Sequence, residues 1–143
     1  MAKKHLTFHE LCSLSLLNQA LWHEERRHAL RMAEIQKMEK ALGALEAERA
    51  AIERNGYRLF GDNIFRDLAT STLRYSGILS SDDIRLASAL LRAGWKVVER
   101  GTGQFPSPRF KKGRLKLTLS CLNAGALEQA EQRVAAAPTV EAA

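Results

Sequence analysis

The stretch from Leu6 to Leu42 contains neither proline nor glycine, and this feature most constrains what the chain can fold into. Thr7 and Glu10 near its start have the spacing of a capping box, in which the threonine hydroxyl and the glutamate carboxylate each bind a backbone N–H. Asn55-Gly56 is typical of a left-handed helix end. The sequence therefore predicts roughly forty-five residues of helix, or two helices broken near Gly43.

Large apolar residues recur along this helix at spacings of three and four. They form one group before residue 22 and a second group after residue 34: Leu14, Leu17 and Leu21, then Ile35, Met38, Leu42, Leu45 and Ile52. Glu24, His28 and Arg31 occupy the same register between the groups. Two interpretations follow: a dimeric coiled coil confined to the second half, or a helix that packs its two ends against different surfaces.

Two shorter helices are predicted after Tyr57. Asp62 is placed to cap a helix over Asn63–Tyr75, and Ser80 with Asp83 has the spacing to cap another over Ser81–Ala93. Two helices joined by a tight turn fit a helix-turn-helix, whose second helix is the recognition helix.

Beyond Gly94 the apolar period changes from 3.6 to 2. Strands are predicted at Trp95–Arg100 and Leu115–Ser120, paired antiparallel through a long loop rich in glycine and proline. A short alanine-rich helix is expected to follow. The predicted fold is mainly α with a small β-hairpin: a helical arm over residues 1–56, a winged-helix-like domain over 57–123, and a short helix with a frayed tail over 124–143.

Positive charge is concentrated in one segment. Between Arg92 and Lys116 there are eight lysines and arginines and a single acid, Glu99, so this segment carries +7 while the whole chain carries +6. A focused basic patch is the electrostatic footprint of polyanion binding. Nucleic acid, with DNA favoured, is therefore the expected partner.

The candidate contacts divide between the predicted recognition helix and the wing. We expect Arg85 to approach a base edge and Arg92 to hold a phosphate. Phe110 or Phe105 is expected to stack on a base or wedge into a groove. The wing and its flanking strands contribute cations that neutralise phosphates. The full predicted set is Arg85, Arg92, Lys96, Arg100, Arg109, Phe110, Lys111, Lys112, Arg114 and Lys116.

The run Asp83-Ile-Arg-Leu-Ala-Ser-Ala-Leu-Leu-Arg-Ala-Gly-Trp95, followed by a strand, a basic loop and Gly113-Arg114-Leu115, resembles the carboxy-terminal winged-helix module of phage and plasmid primase-helicases and of virulence-associated E-type proteins. The resemblance covers residues 80–120 and includes no ATPase portion. It implies a DNA-binding accessory role in a mobile element, and it carries no catalytic residue across.

The alternative function is a protein-binding accessory factor or inhibitor whose basic face engages an acidic partner. We expect the helical arm to form a homodimer or to dock onto a larger assembly. No phosphate-binding glycine loop and no nucleophile with a base at defined spacing is present, so we expect neither enzymatic activity nor a cofactor or metal. No apolar run approaches about 20 residues, which predicts no membrane span and a cytoplasmic protein.

Overall fold

The computed structural model describes residues 5–67 and 72–138. The chain divides into two compact units between Lys37 and Met38. The elements in chain order are α1 (Phe8–Cys12), α2 (Leu16–Arg54), a 3-10 turn (Gly61–Asn63), β1 (Ile64–Asp67), β2 (Thr72–Tyr75), α3 (Asp83–Arg92), β3 (Lys96–Glu99), β4 (Arg109–Lys112), β5 (Leu115–Leu119) and α4 (Ala126–Ala136).

The amino-terminal capping box is confirmed. The Glu10 amide donates to the Thr7 hydroxyl at 3.1 Å, and the Thr7 amide donates to the Glu10 carboxylate at 2.9 Å. The helix it starts is short, because two serines interrupt the backbone: Ser13 bonds back to the Glu10 carbonyl, and Ser15 accepts from the Asn18 amide to cap α2. The predicted break near Gly43 is therefore wrong, and helical structure runs past that glycine to Arg54.

The predicted helix end at Asn55-Gly56 is confirmed. Gly56 has a φ of +107°, and its amide bonds to the Glu53 carbonyl. From Met38 onward α2 belongs to the second unit, where Met38, Leu45 and Ile52 are buried in the hydrophobic core. These three positions therefore pack within this unit, and pairing of the arm with a second copy stays a prediction.

The second unit is built on a five-stranded mixed sheet with strand order β1-β2-β5-β4-β3. β1 pairs antiparallel with β2, which runs parallel to β5; β4 pairs antiparallel with both β5 and β3. Leu73, Phe110 and Leu117 stand side by side in register and are fully or almost fully buried. They form the centre of the core-facing side of the sheet.

The predicted helix over Asn63–Tyr75 is wrong, because Ile64–Asp67 and Thr72–Tyr75 are strands. Residues 68–71 of this predicted helix, including the apolar Leu68 and Ala69, lie outside the described residues. Residues at Thr72–Tyr75 alternate in burial as those of a strand do: Leu73 and Tyr75 are buried, and Thr72 and Arg74 are half-buried. The Tyr75 hydroxyl forms a hydrogen bond with the Tyr57 hydroxyl and accepts another from the Phe60 amide. These contacts hold β2 in place.

The prediction of a long wing loop between two directly paired strands is also wrong. Arg109–Lys112 forms β4, which lies between the two strands that were expected to pair directly. Gly113 and Arg114 make a two-residue turn into β5, and Gly113 has a φ of +60°, as the first central residue of a type II′ hairpin requires. The described part of the second unit is thus a mixed five-stranded sheet with helices, which is not plainly a mainly α fold with a small β-hairpin.

The helix over Asp83–Arg92 and the short helix after Gly125 are confirmed. The expected capping by Ser80 and Asp83 is not observed, because the helix is preceded by Asp82 and no side chain caps it. Asp83 is buried and instead accepts from the Asn123 amide at 2.8 Å, which ties α3 to the segment before α4. Within residues 5–67 and 72–138, every helix is too short or too polar to cross a membrane.

Candidate nucleic-acid interface

The side of the sheet facing away from the core carries the unpaired basic residues. Side chains alternate along a strand, so burial of Phe110 on β4 and Leu117 on β5 directs Lys111 and Lys116 to the other side. Lys96 on β3 is the register partner of Lys111, and Lys111 is the register partner of Lys116. Direct partners on adjacent strands share a face, so these three lysines form one row, which we call the lysine row.

Three like charges in a row are unfavourable for the sheet itself. Adjacent strands lie about 4.8 Å apart, so the three side chains leave the backbone within about 10 Å of one another, and like charges directly opposite destabilise a sheet. No carboxylate among the described residues forms an ion pair with any of the three. The row is therefore a concentration of uncompensated positive charge.

One end of the row borders a concavity of about 300 Å³. Its lining comprises Gly94, Lys96, Val98, Lys111, Lys112 and Gly113. Lys96 and Lys111 contribute its two cations that make no ion pair with a described carboxylate, because the Lys112 ammonium is bound to Glu48. Arg114, in the turn beyond Gly113, is exposed and makes no ion pair with a described carboxylate.

A second register row on the same face joins Arg109, Thr118 and Arg74. Arg109 pairs with Glu99 at 3.1 Å, and Arg74 pairs with Asp67 at 3.2 Å and donates to Ser120. The Arg109 Nε and the Thr118 hydroxyl are buried and have no hydrogen-bond partner among the described residues. Buried polar groups without a partner are uncommon in folded proteins.

Arg74 is absent from the predicted contact set, because the helix predicted over Asn63–Tyr75 includes it. The alternation Thr72-Leu73-Arg74-Tyr75, with β-branched and aromatic residues, is the signal that predicts a strand there. Once the strand is recognised, Arg74 lies on the polar face opposite Leu73 and Tyr75.

Arg100 is not available to a phosphate. Its guanidinium pairs with Glu128 at 3.2 Å and with Glu131, both on α4. The hydrogen bonds that Arg100 donates to Glu131 and Glu128 raise the pKa of Arg100, and the pKa of Glu128 is lowered by a backbone hydrogen bond and by Arg100. These ion pairs join the end of β3 to α4.

Lys112 has an internal partner as well. Its Nζ donates to the Glu48 carboxylate at 2.6 Å and to the Ala93 carbonyl at 2.8 Å. It follows Phe110 by two residues, so it leaves β4 on the core side, toward α2. Phe110 itself has no exposed surface, so the expectation that it stacks on a base is wrong.

Arg85 and Arg92 lie on one face of α3, and each donates a hydrogen bond to a backbone carbonyl at the end of another helix. Arg85 pairs with Asp82 at 3.0 Å and donates to the Gly56 carbonyl just beyond α2, while Arg92 donates to the Ala137 carbonyl just beyond α4. Cations near helix carboxyl ends are stabilising. With Arg133 these two arginines line a pocket of about 410 Å³ away from the lysine row.

Four of the ten predicted contact residues therefore remain together and without a described anionic partner: Lys96, Lys111, Arg114 and Lys116. The described residues contain no group of three or more histidine, cysteine or acidic side chains placed to hold a metal ion. Comparison with protein-family models, curated proteins and solved structures gives no match to this chain.

Proposed function

We propose that this protein binds nucleic acid, with DNA favoured, through the polar face of its sheet, as a non-enzymatic accessory protein. The observation that supports this proposal most directly is the lysine row, Lys96-Lys111-Lys116, aligned across three adjacent strands. Its repulsion is relieved when phosphates neutralise the ammonium groups and release their counterions.

Solubility alone does not account for the row. Lysines on an edge strand keep a sheet from pairing with another chain, and Lys96 on β3 fits that role. Lys111 and Lys116 lie on interior strands, where no edge needs protection. A functional anion is the remaining reason to tolerate three cations in register, since proteins break local stability rules mainly at functional sites.

The chemistry of this face favours the phosphate backbone over the bases. Ammonium groups act as point charges and do not match the donor and acceptor pattern of a particular base. Contacts to phosphates position a protein on nucleic acid without reading its sequence. Phe110 is buried in the core, so it is not an aromatic platform for stacking. We therefore propose sequence-independent binding. The winged-helix outline contributes nothing to this proposal, because the cations lie on strands and a turn.

The test is the salt dependence of DNA binding by the Lys96→Gln, Lys111→Gln, Lys116→Gln triple variant. Each phosphate contact contributes about −0.9 to the slope of log Kobs against log salt for duplex DNA, so losing three contacts should flatten the slope by about 2 to 3 units. The same variant should be more resistant to urea than the original chain, because the cross-strand repulsion is removed. Weaker binding together with higher stability distinguishes an interface from structural damage.

A matched control removes three exposed cations elsewhere: Lys37→Gln, Lys40→Gln and Arg54→Gln. It has the same net charge as the row variant, so an equal flattening in both would mean that overall charge, not the row, drives binding. Absence of retention on duplex DNA, single-stranded DNA and RNA would instead favour the alternative, an acidic protein partner for the same face.

A further inference from the structure

A pocket of about 410 Å³ opens in the second unit, where one face of α3 meets the ends of two other helices. Its lining includes Gly56 just beyond α2, three arginines, Ser88 on α3 and Ala137 just beyond α4. Pockets that bind small molecules usually enclose about 300–1,000 Å³. The pocket is therefore large enough for a small ligand, and the lysine row borders a separate concavity.

Helix geometry brings the three arginines together. Arg85, Ser88 and Arg92 follow one another at spacings of three and four along α3, so they share one face of that helix. α4 packs against α3, and a hydrogen bond of 3.0 Å from Arg92 Nε to the Ala137 carbonyl holds the end of α4 beside this face. Arg133, in the last turn of α4, lines the same pocket. Two helices thus supply the cations.

The positive charge of this pocket is only partly balanced. Asp82 pairs with Arg85 at 3.0 Å, but neither Arg92 nor Arg133 forms an ion pair with a carboxylate among the described residues. The contact to the Ala137 carbonyl uses Arg92 Nε and leaves its Nη1 and Nη2 without a described partner. The carboxyl ends of α2 and α4 add only about half a negative charge each. A net positive charge therefore remains at the pocket.

Ser88 adds a hydroxyl to the same lining. The residue is 3% exposed, and its Oγ has no hydrogen-bond partner among the described residues. A serine within a helix can bond to the carbonyl one turn earlier, and Ser88 does not. Stabilisation of the helix ends by Arg85 and Arg92 does not require this hydroxyl. An oxygen-bearing ligand in the pocket would give it a partner, since Ser88 lies between the two arginines on α3.

We infer that this pocket binds the phosphate group of a small phosphate monoester. Arg92, Arg133 and Ser88 offer donors from three side chains, and a phosphate group has three free oxygens to accept them, whereas a carboxylate has two. Arginine suits this group, because its planar guanidinium binds phosphate oxygens in pairs. The methyl groups of Ala136 and Ala137 line the pocket beside these donors and form an apolar wall for the rest of the molecule.

Isothermal titration calorimetry of the full chain with phenyl phosphate tests the inference. This probe joins a phosphate to an apolar ring, and we expect saturable binding with one molecule per chain. Benzoate, which carries a carboxylate on the same ring, should bind more weakly. The Arg92→Gln, Arg133→Gln variant should lose affinity by about tenfold or more, because hydrogen bonds to a charged group are lost. Lys37→Gln with Lys40→Gln, at exposed positions of α2, removes the same net charge and should keep the affinity.

Ser88→Ala separates a binding role from a structural one. The Ser88 hydroxyl has no described partner, so its removal should leave the urea midpoint unchanged or raise it. The same change should weaken phenyl phosphate binding by about tenfold. Unchanged affinity in Ser88→Ala, equal losses in the arginine and lysine variants, equal affinity for benzoate, or no saturable binding would each overturn the inference. The inference does not depend on nucleic-acid binding, because Ser88→Ala leaves the lysine row intact.

Discussion

Replacing Phe110 by alanine should destabilise the second unit severely, because the side chain is at the centre of the core. Phe110 lies on an interior strand, in register with Val97 on one side and Leu117 on the other, and has no exposed surface. Phenylalanine-to-alanine changes in cores cost about 3–5 kcal/mol, through lost transfer free energy and the cavity left behind. That is a large part of the roughly 5–15 kcal/mol that stabilises a domain.

The measurement is urea unfolding followed by circular dichroism. With a denaturant slope of about 2 kcal/mol per molar, a loss of about 4 kcal/mol lowers the midpoint by about 2 M. Phe105→Ala is the matched control, because Phe105 is 56% exposed on the neighbouring loop and should change stability by less than about 0.5 kcal/mol. The sequence alone treats the two aromatics as equivalent, so the comparison isolates the effect of the fold.

The reasoning would be refuted if both alanine variants unfolded at the midpoint of the original chain. That result would place Phe110 outside the core and return Arg109–Lys112 to a surface loop. It would also remove the basis of the lysine row, whose orientation follows from the burial of Phe110 on the other side of β4.

Two further changes test contacts that hold the second unit together. Lys112→Met should lower the free energy of unfolding by about 1–2 kcal/mol, between the values for exposed and buried ion pairs. In a double-mutant cycle with Glu48→Gln, the double variant should lose less stability than the sum of the two single variants. Additive losses would mean that the ion pair contributes nothing to stability. Burial and the hydrogen bond to Tyr75 raise the pKa of Tyr57 well above its ordinary value of about 10. The neutral Tyr57 hydroxyl therefore contributes its full share of stability below about pH 10. That contribution is lost as the pH rises above this value toward the raised pKa of the folded state. Tyr57→Phe should lose less stability between pH 8 and pH 11 in urea titrations than the original chain does, and equal losses would contradict the assignment.

Local signals in the sequence predict three features of the helices correctly. The Thr7–Glu10 box, the glycine at 56 and the apolar spacing of α3 each depend on residues a few positions apart, and the structure follows all three. Strands were harder to predict, because their stability comes from partners that are distant in the chain. The alternation at Thr72–Tyr75 is compatible with a strand, but it does not identify the partner β5, which lies more than forty residues later.

The break in the first helix shows a different limit. Gly43 was chosen because glycine is a poor helix former, yet its cost of about 1 kcal/mol is small beside the packing of Met38 and Leu45 on either side. Ser13 and Ser15 end and restart the helix because their hydroxyls satisfy backbone groups that would otherwise lack partners. Side-chain capping outweighs intrinsic propensity at this junction.

The basic segment shows why net charge along a sequence differs from net charge on a surface. Counting from Arg92 to Lys116 subtracts only Glu99, but the acids that neutralise Arg100 and Lys112 are Glu128, Glu131 and Glu48, which are 28 to 64 residues away. Folding therefore removes those cations from any external partner. What it cannot neutralise is the lysine row, because strand register brings the three lysines together while no described carboxylate reaches them. The sequence located the excess charge within the right segment, and the sheet register decides which of those charges remain for a polyanion.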